Sequence, residues 1–102
     1  MNLDLVSPKE IHDYAKEKGW WERDREVPEL LCLVHSEISE ALEGYRNHVP
    51  IGEKGWVGEE LADAVIRIWD MSEALGIDIV SEINKKHLIN LKREYRHGGK
   101  KC

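Results

Sequence analysis

Glu37 and Glu40 stand three residues apart, and Glu60 and Asp63 repeat that spacing further along the chain. On a helix, a three-residue step puts two side chains on one side, a turn apart. Two such pairs on neighbouring helices would gather four carboxylates around one point. Such an anionic, all-oxygen donor set suits a hard divalent cation. Magnesium takes part of its shell from carboxylates and leaves the rest to water and substrate phosphates. The same spacing also suits ordinary solvated helix faces, with Asp63 and Arg67 as a surface i,i+4 pair.

A second set of residues has the opposite charge. Lys86, Asn90, Arg93 and His97 follow one another at steps of four, three and four. They therefore share a helix face within about 60° and continue the line of Ile79 and Ile83. Lys and Arg neutralise phosphate oxygens, and Asn donates to a phosphate or sugar oxygen. A basic helix end complementing the helix dipole accounts for Arg93 and Arg96 but not for Lys86 and Asn90. The chain has four tryptophans and no phenylalanine. Trp20, Trp21 and Trp56 fall in or beside loops, as cleft walls and core caps both do, whereas Trp69 falls on a core stripe.

These residues need elements to position them, and the pattern predicts four helices and no strand. Ser7-Pro8-Lys9-Glu10 reads as a capping box with proline at the first helical position, and the helix runs to about Lys18, before Gly19. A charged linker leads to Pro28, which opens a second helix reaching about Arg46. Leu30, Leu31, Val34, Ile38, Ala41, Leu42 and Tyr45 recur there at three- and four-residue steps and define its core face. With Val34 at the centre of that face, Glu37 lies about 60° away, at the edge of the core. A buried carboxylate there needs a cation or hydrogen bonds to compensate it.

The stretch from Asn47 to Gly58 reads as a loop, with Pro50, Gly52, Gly55 and Gly58 as breakers. A third helix is expected from about Glu59 to Leu75, with a core stripe of Leu61, Val65, Ile68, Trp69 and Leu75. Ala64, Met71 and Ala74 lie off that stripe, either as a second interaction surface or as scattered surface residues. Glu60 and Asp63 also face away from it, so they join a site only if another helix covers that side. Asp78 can cap a fourth helix ending near Tyr95. Short connections between helices favour antiparallel neighbours in a bundle.

The 102 residues suffice for one domain, 1–102, with a short tail over about 97–102. Charged residues make up 34% and hydrophobic ones 41%, a balance suited to a globular protein. No apolar run approaches the roughly 20 residues of a membrane span, and Met1 to Ser7 does not read as a signal peptide. Cys32 and Cys102 suggest neither a disulfide framework nor a zinc cluster, so a cytoplasmic setting is expected. The net charge of -5 is uneven: residues 85–102 carry seven Lys/Arg against one acid, leaving eight basic and nineteen acidic residues before them. Overall acidity argues against strong nucleic-acid binding.

The segment from Leu33 to Glu43 (LVHSEISEALE), then Glu59-Glu60-Leu61-Ala62-Asp63, then Lys86, Asn90 and Arg93, resembles the all-α nucleoside triphosphate pyrophosphatases of the MazG type, in their short single-domain form. The likeness spans nearly the whole chain, and its ordered ExxE, EELxD and KxxxNxxR motifs are more specific than any one of them. It implies a four-helix bundle-like fold and magnesium, with manganese as a substitute, on Glu37, Glu40, Glu60 and Asp63. It further implies phosphate contacts from Lys86, Asn90 and Arg93, and a homodimer or homotetramer whose sites draw on more than one chain. The implied reaction is hydrolysis of a (deoxy)nucleoside triphosphate to monophosphate and pyrophosphate, in nucleotide-pool cleansing or a narrower role; by its place in the cluster, Glu37 or Glu40 could orient or deprotonate the attacking water. In the dCTP-preferring branch a histidine on the first helix and a tryptophan before ExxE flank the base. His12 and Trp21 have similar spacings, and Trp56 is a further candidate.

Two other classes compete. A carboxylate-bridged di-iron bundle requires two ExxH motifs, and this chain has one, from Glu94 to His97. A non-catalytic helical module for oligomerisation or partner binding would use the apolar faces without the carboxylates.

Overall fold

The computed structural model describes residues 5–93. Among them are four helices, α1 (Pro8–Glu17), α2 (Val27–Arg46), α3 (Val57–Ala74) and α4 (Ile79–Leu91), and no strand. Among the described residues, no helix is long and apolar enough to cross a membrane. Helix α4 ends earlier than the expected Tyr95. Tyr95, the ExxH motif, His97 and the rest of the tail lie outside the described residues.

Local chemistry sets most of the helix ends. Ser7 caps α1 by accepting from the Glu10 amide at 3.1 Å while its hydroxyl donates to the Glu10 carboxylate. Asp78 caps α4 by accepting from the Ser81 amide at 3.0 Å. Helices α1 and α3 close on Gly19 and Gly76, both with positive φ. There the Trp20 amide donates to the Ala15 carbonyl, and the Ile77 amide to the Ser72 carbonyl. Helix α2 closes in the same way on His48, whose φ is 54°, with the Val49 amide donating to the Gly44 carbonyl.

Helix α3 is the hub and packs against α2 and α1, whereas α4 touches it sparsely. The buried apolar residues are Leu30, Ala41 and Ala64, joined by Glu37, Glu60, Asp70 and Ser72. This turns α3 from its expected face in part, with Ile68 and Trp69 of the expected stripe still half-buried. The side bearing Glu60, Ala64, Asp70 and half-buried Met71 packs inward, while Leu61, Val65 and Leu75 of the expected core stripe are exposed. Helix α2 is likewise turned. Its inner line is Leu30, Glu37, Ala41 and Gly44, leaving Leu31, Ile38, Leu42 and Tyr45 exposed. Glu37 is paired with Arg67, and Asp70 with His12 and Trp21, which makes the inward turn tolerable at those two residues.

The connection from α2 to α3 crosses α2 at Gly44, where an added Cβ would lie 2.1 Å from the Gly55 carbonyl oxygen. That oxygen belongs to the backbone and cannot rotate away. Gly44→Ala is therefore expected to destabilise the fold by about 1–3 kcal/mol despite alanine's higher helix propensity. Chemical denaturation would check this, and an unchanged midpoint would contradict the close crossing. Gly58 was expected to break the chain, but it lies inside α3. Its missing side chain makes room for the Trp56 ring, which a Cβ there would meet at 2.3 Å.

Candidate metal centre and adjoining groove

Helix α2 presents Glu37 inward, and α3 presents Glu60 and Asp63 towards it. One carboxylate oxygen from each of the three lies within 4.8 Å of the others. A single chain thus brings these three together, and the face of α3 expected to need a further helix is covered by α2. Glu37 and Glu60 are 6% and 8% exposed, so each has lost nearly all of its hydration. Glu37 Oε1 accepts from Arg67 Nε at 2.6 Å. The second oxygen of each, Glu37 Oε2 and Glu60 Oε2, is buried with no hydrogen-bond partner.

Two orphaned carboxylate oxygens in one cluster are costly, because a buried acceptor left unpaired forfeits its hydration. Protonation or a cation would relieve that cost. Burial foremost, then a hydrogen bond shared with Glu40 and the charges of Glu40, Asp63 and Glu37, raises the Glu60 carboxyl above its usual range. Burial, then the charges of Glu37 and Glu59, raises Asp63 despite an opposing pull from Arg67. Glu40 itself is exposed and stands at the rim, beside Glu60. The donors are all oxygen, anionic and short of partners, so this set fits a hard divalent cation.

A groove of about 350 Å³ leads from Glu37 and Asp63 along Arg67 to Tyr14, Ala15, Trp20, Ile66 and Asp70. The Arg67 guanidinium carbon lies 5.0 Å from the Trp20 ring centre, and that of Arg25 lies 3.8 Å from it. Arg25 also donates to the Trp20 carbonyl and to Glu29. The charged linker is therefore a clasp that holds Trp20 beside the groove.

His12 and Trp21 do come together, but on Asp70 rather than on the carboxylate cluster. Asp70 is 7% exposed; its Oδ1 lies 2.6 Å from His12 Nδ1 and accepts from Trp21 Nε1 at 3.0 Å. The two rings meet edge to face at 5.4 Å. These polar atoms are thus already engaged in tying α1 and the following turn to α3. Trp56 lies over Gly58 at the start of α3. Neither His12, Trp21 nor Trp56 lines the groove that contains Glu37 and Asp63.

Lys86 and Asn90 line a separate shallow groove on α4, with Ile79, Glu82, Ile83 and His87. Arg93 follows in the exposed turn after α4. Within one chain these three do not share a groove with the carboxylates. Arg67, Asp70 and Tyr14 were not anticipated as site residues, whereas Trp20 stands at the groove as one of the three candidate cleft walls. The available signal was the polar line Glu60, Asp63, Arg67 and Asp70 at helical steps, which reads as a solvated face until its partners on α1 and α2 are known. Comparison with protein-family models, with curated proteins and with solved structures finds no match.

Proposed function

We propose that this chain is a magnesium-dependent nucleoside triphosphate pyrophosphohydrolase of the all-α MazG type. The observation that carries the reading is the pair of buried, partnerless oxygens, Glu37 Oε2 and Glu60 Oε2, on two residues that cluster with Asp63. Glu37, Glu60 and Asp63 would hold the cation, with Glu40 completing the set from the rim. When bound, the ion supplies Lewis acidity to phosphoryl oxygens and screens their charge; manganese serves as a substitute.

Glu40 is the better candidate for the base. Glu37 has one oxygen committed to Arg67, whereas Glu40 is exposed and can accept a proton from water. Water adds to one phosphorus of the α–β anhydride, its proton passes to Glu40, and the bridging oxygen leaves with its electron pair. Monophosphate and pyrophosphate result. Lys86, Asn90 and Arg93 would reach the phosphates from a second copy of the chain. The exposed apolar residues of α2, α3 and α4, including Ile38, Leu61 and Ile83, suit that pairing. The nucleobase would lie along the groove beside Trp20 and Tyr14, with dCTP among the substrates to be tried.

Pyrophosphate release from each dNTP, with and without magnesium, tests the reading. Turnover is expected with magnesium and is expected to be lost in EDTA and in Glu40→Gln. Release unaffected by both would overturn it. Magnesium-independent inertness toward every nucleotide would favour a non-catalytic oligomerisation module.

The raised carboxyls also set a pH dependence. A group whose folded pKa exceeds its unfolded one favours folding fully below the unfolded value and loses that contribution as pH rises through the folded value. Glu60 and Asp63, with ordinary values of 4.5 and 3.8, shift this way, so the metal-free protein gives up their contribution on the alkaline side of those values. A cation needs both ionised. The increase in Tm on adding magnesium should therefore grow as pH rises through the same window, as calorimetry across a pH series would show. A magnesium effect of constant size would speak against these ligands.

A further inference from the structure

We infer that Arg67 is a substrate-binding residue of this site, taking a phosphate oxygen of the triphosphate while it holds Glu37. This rests on the hydrolase reading above and adds a residue that the motif set does not contain.

Arg67 reaches across from α3 to α2 and places its Nε 2.6 Å from Glu37 Oε1. That contact uses one of the five N–H donors of the guanidinium. Among the described residues, its two η-nitrogens donate to no protein group, and the side chain is 30% exposed. It lines the groove with Glu37 and Asp63, so the side chain stands where the groove meets the carboxylates. A planar guanidinium can hold a carboxylate on one edge and a phosphate on another, which a lysine ammonium cannot do with fixed geometry.

Charge requires such a group. Glu37, Glu40, Glu60 and Asp63 outnumber one divalent cation by two negative charges when all are ionised, and a polyphosphate would bring more. The other arginine near the groove, Arg25, is engaged with Glu29 and the Trp20 carbonyl. Lys86, Asn90 and Arg93 share no groove with the carboxylates in their own chain. Among the described residues, Arg67 is thus the cation that the same chain places at the cluster with donors to spare.

The test compares wild type, Arg67→Ala and Arg67→Lys in two assays. One measures kcat and KM for dNTP hydrolysis. The other measures Mn²⁺ binding, followed by inorganic tripolyphosphate binding to the Mn²⁺-loaded protein. Arg67→Ala is expected to raise KM and weaken tripolyphosphate binding about ten- to a hundredfold, with Mn²⁺ binding kept or tightened. Arg67→Lys should recover part of the loss. The inference is overturned if KM and tripolyphosphate binding stay within about twofold, or if Mn²⁺ binding is lost along with them, which would make Arg67 a support for Glu37 alone. Should Arg67→Ala fail to fold, Arg67→Lys against wild type decides on the same readouts. Failure of wild type to hydrolyse any dNTP sinks the hydrolase reading, while tripolyphosphate binding that depends on Arg67 would still stand.

Discussion

Glu60→Gln is expected to lower magnesium-dependent pyrophosphate release by about a hundredfold or more while raising the Tm of the metal-free protein. Both effects follow from one oxygen. Glu60 Oε2 is buried without a partner, and its carboxyl is crowded by Glu40, Asp63 and Glu37. Glutamine has nearly the same shape but carries no charge, so it ends the repulsion and removes a ligand together. Pyrophosphate release and calorimetry on one preparation would check both effects, and Mn²⁺ titration the loss of the ligand behind them. A variant that turns over normally, or that melts lower without metal, would mean the cluster is not a strained cation site.

The second large effect concerns who supplies the phosphate contacts. Glu60→Gln and Arg93→Ala should each be inactive alone, yet their mixture after subunit exchange should recover about a quarter of wild-type activity. Random exchange of a dimer makes half of the molecules mixed, each with one intact site of two. The expectation follows from α4, which touches α3 sparsely and leaves Ile83, Leu88 and Leu91 exposed. If the variants exchange and the mixture remains dead, the basic residues act on carboxylates of their own chain.

Much of the fold was legible because it is written locally. Ser7, Pro8 and Glu10 mark the start of α1, Gly19 and Gly76 mark two ends, and Asp78 starts α4, each by a contact within a few residues. The spacing of Glu37, Glu60 and Asp63 was legible for the same reason. The inward face of α3 was not. Counting apolar residues favours the line through Leu61 and Val65, but burial depends on partners 30 to 58 residues away: Arg67 with Glu37, Trp21 and His12 with Asp70. Such compensation leaves no period in the sequence. His48 escaped for a related reason, since histidine only mildly favours a left-handed backbone and the hydrogen bond from the Val49 amide to the Gly44 carbonyl closes the turn at the end of α2.

The buried set described above has a thermodynamic corollary. Among the described residues it holds three apolar side chains, Leu30, Ala41 and Ala64, against four polar or charged ones, Glu37, Glu60, Asp70 and Ser72. The less free energy such an interior draws from excluding water, the shallower the native basin of the isolated chain. Whatever binds the folded form alone, whether an ion at the carboxylates or a surface against Ile38 and Leu61, deepens that basin in proportion to the logarithm of its concentration. With the proposed ion and second copy as those binders, dilution and chelation should act on the folded fraction as denaturants do.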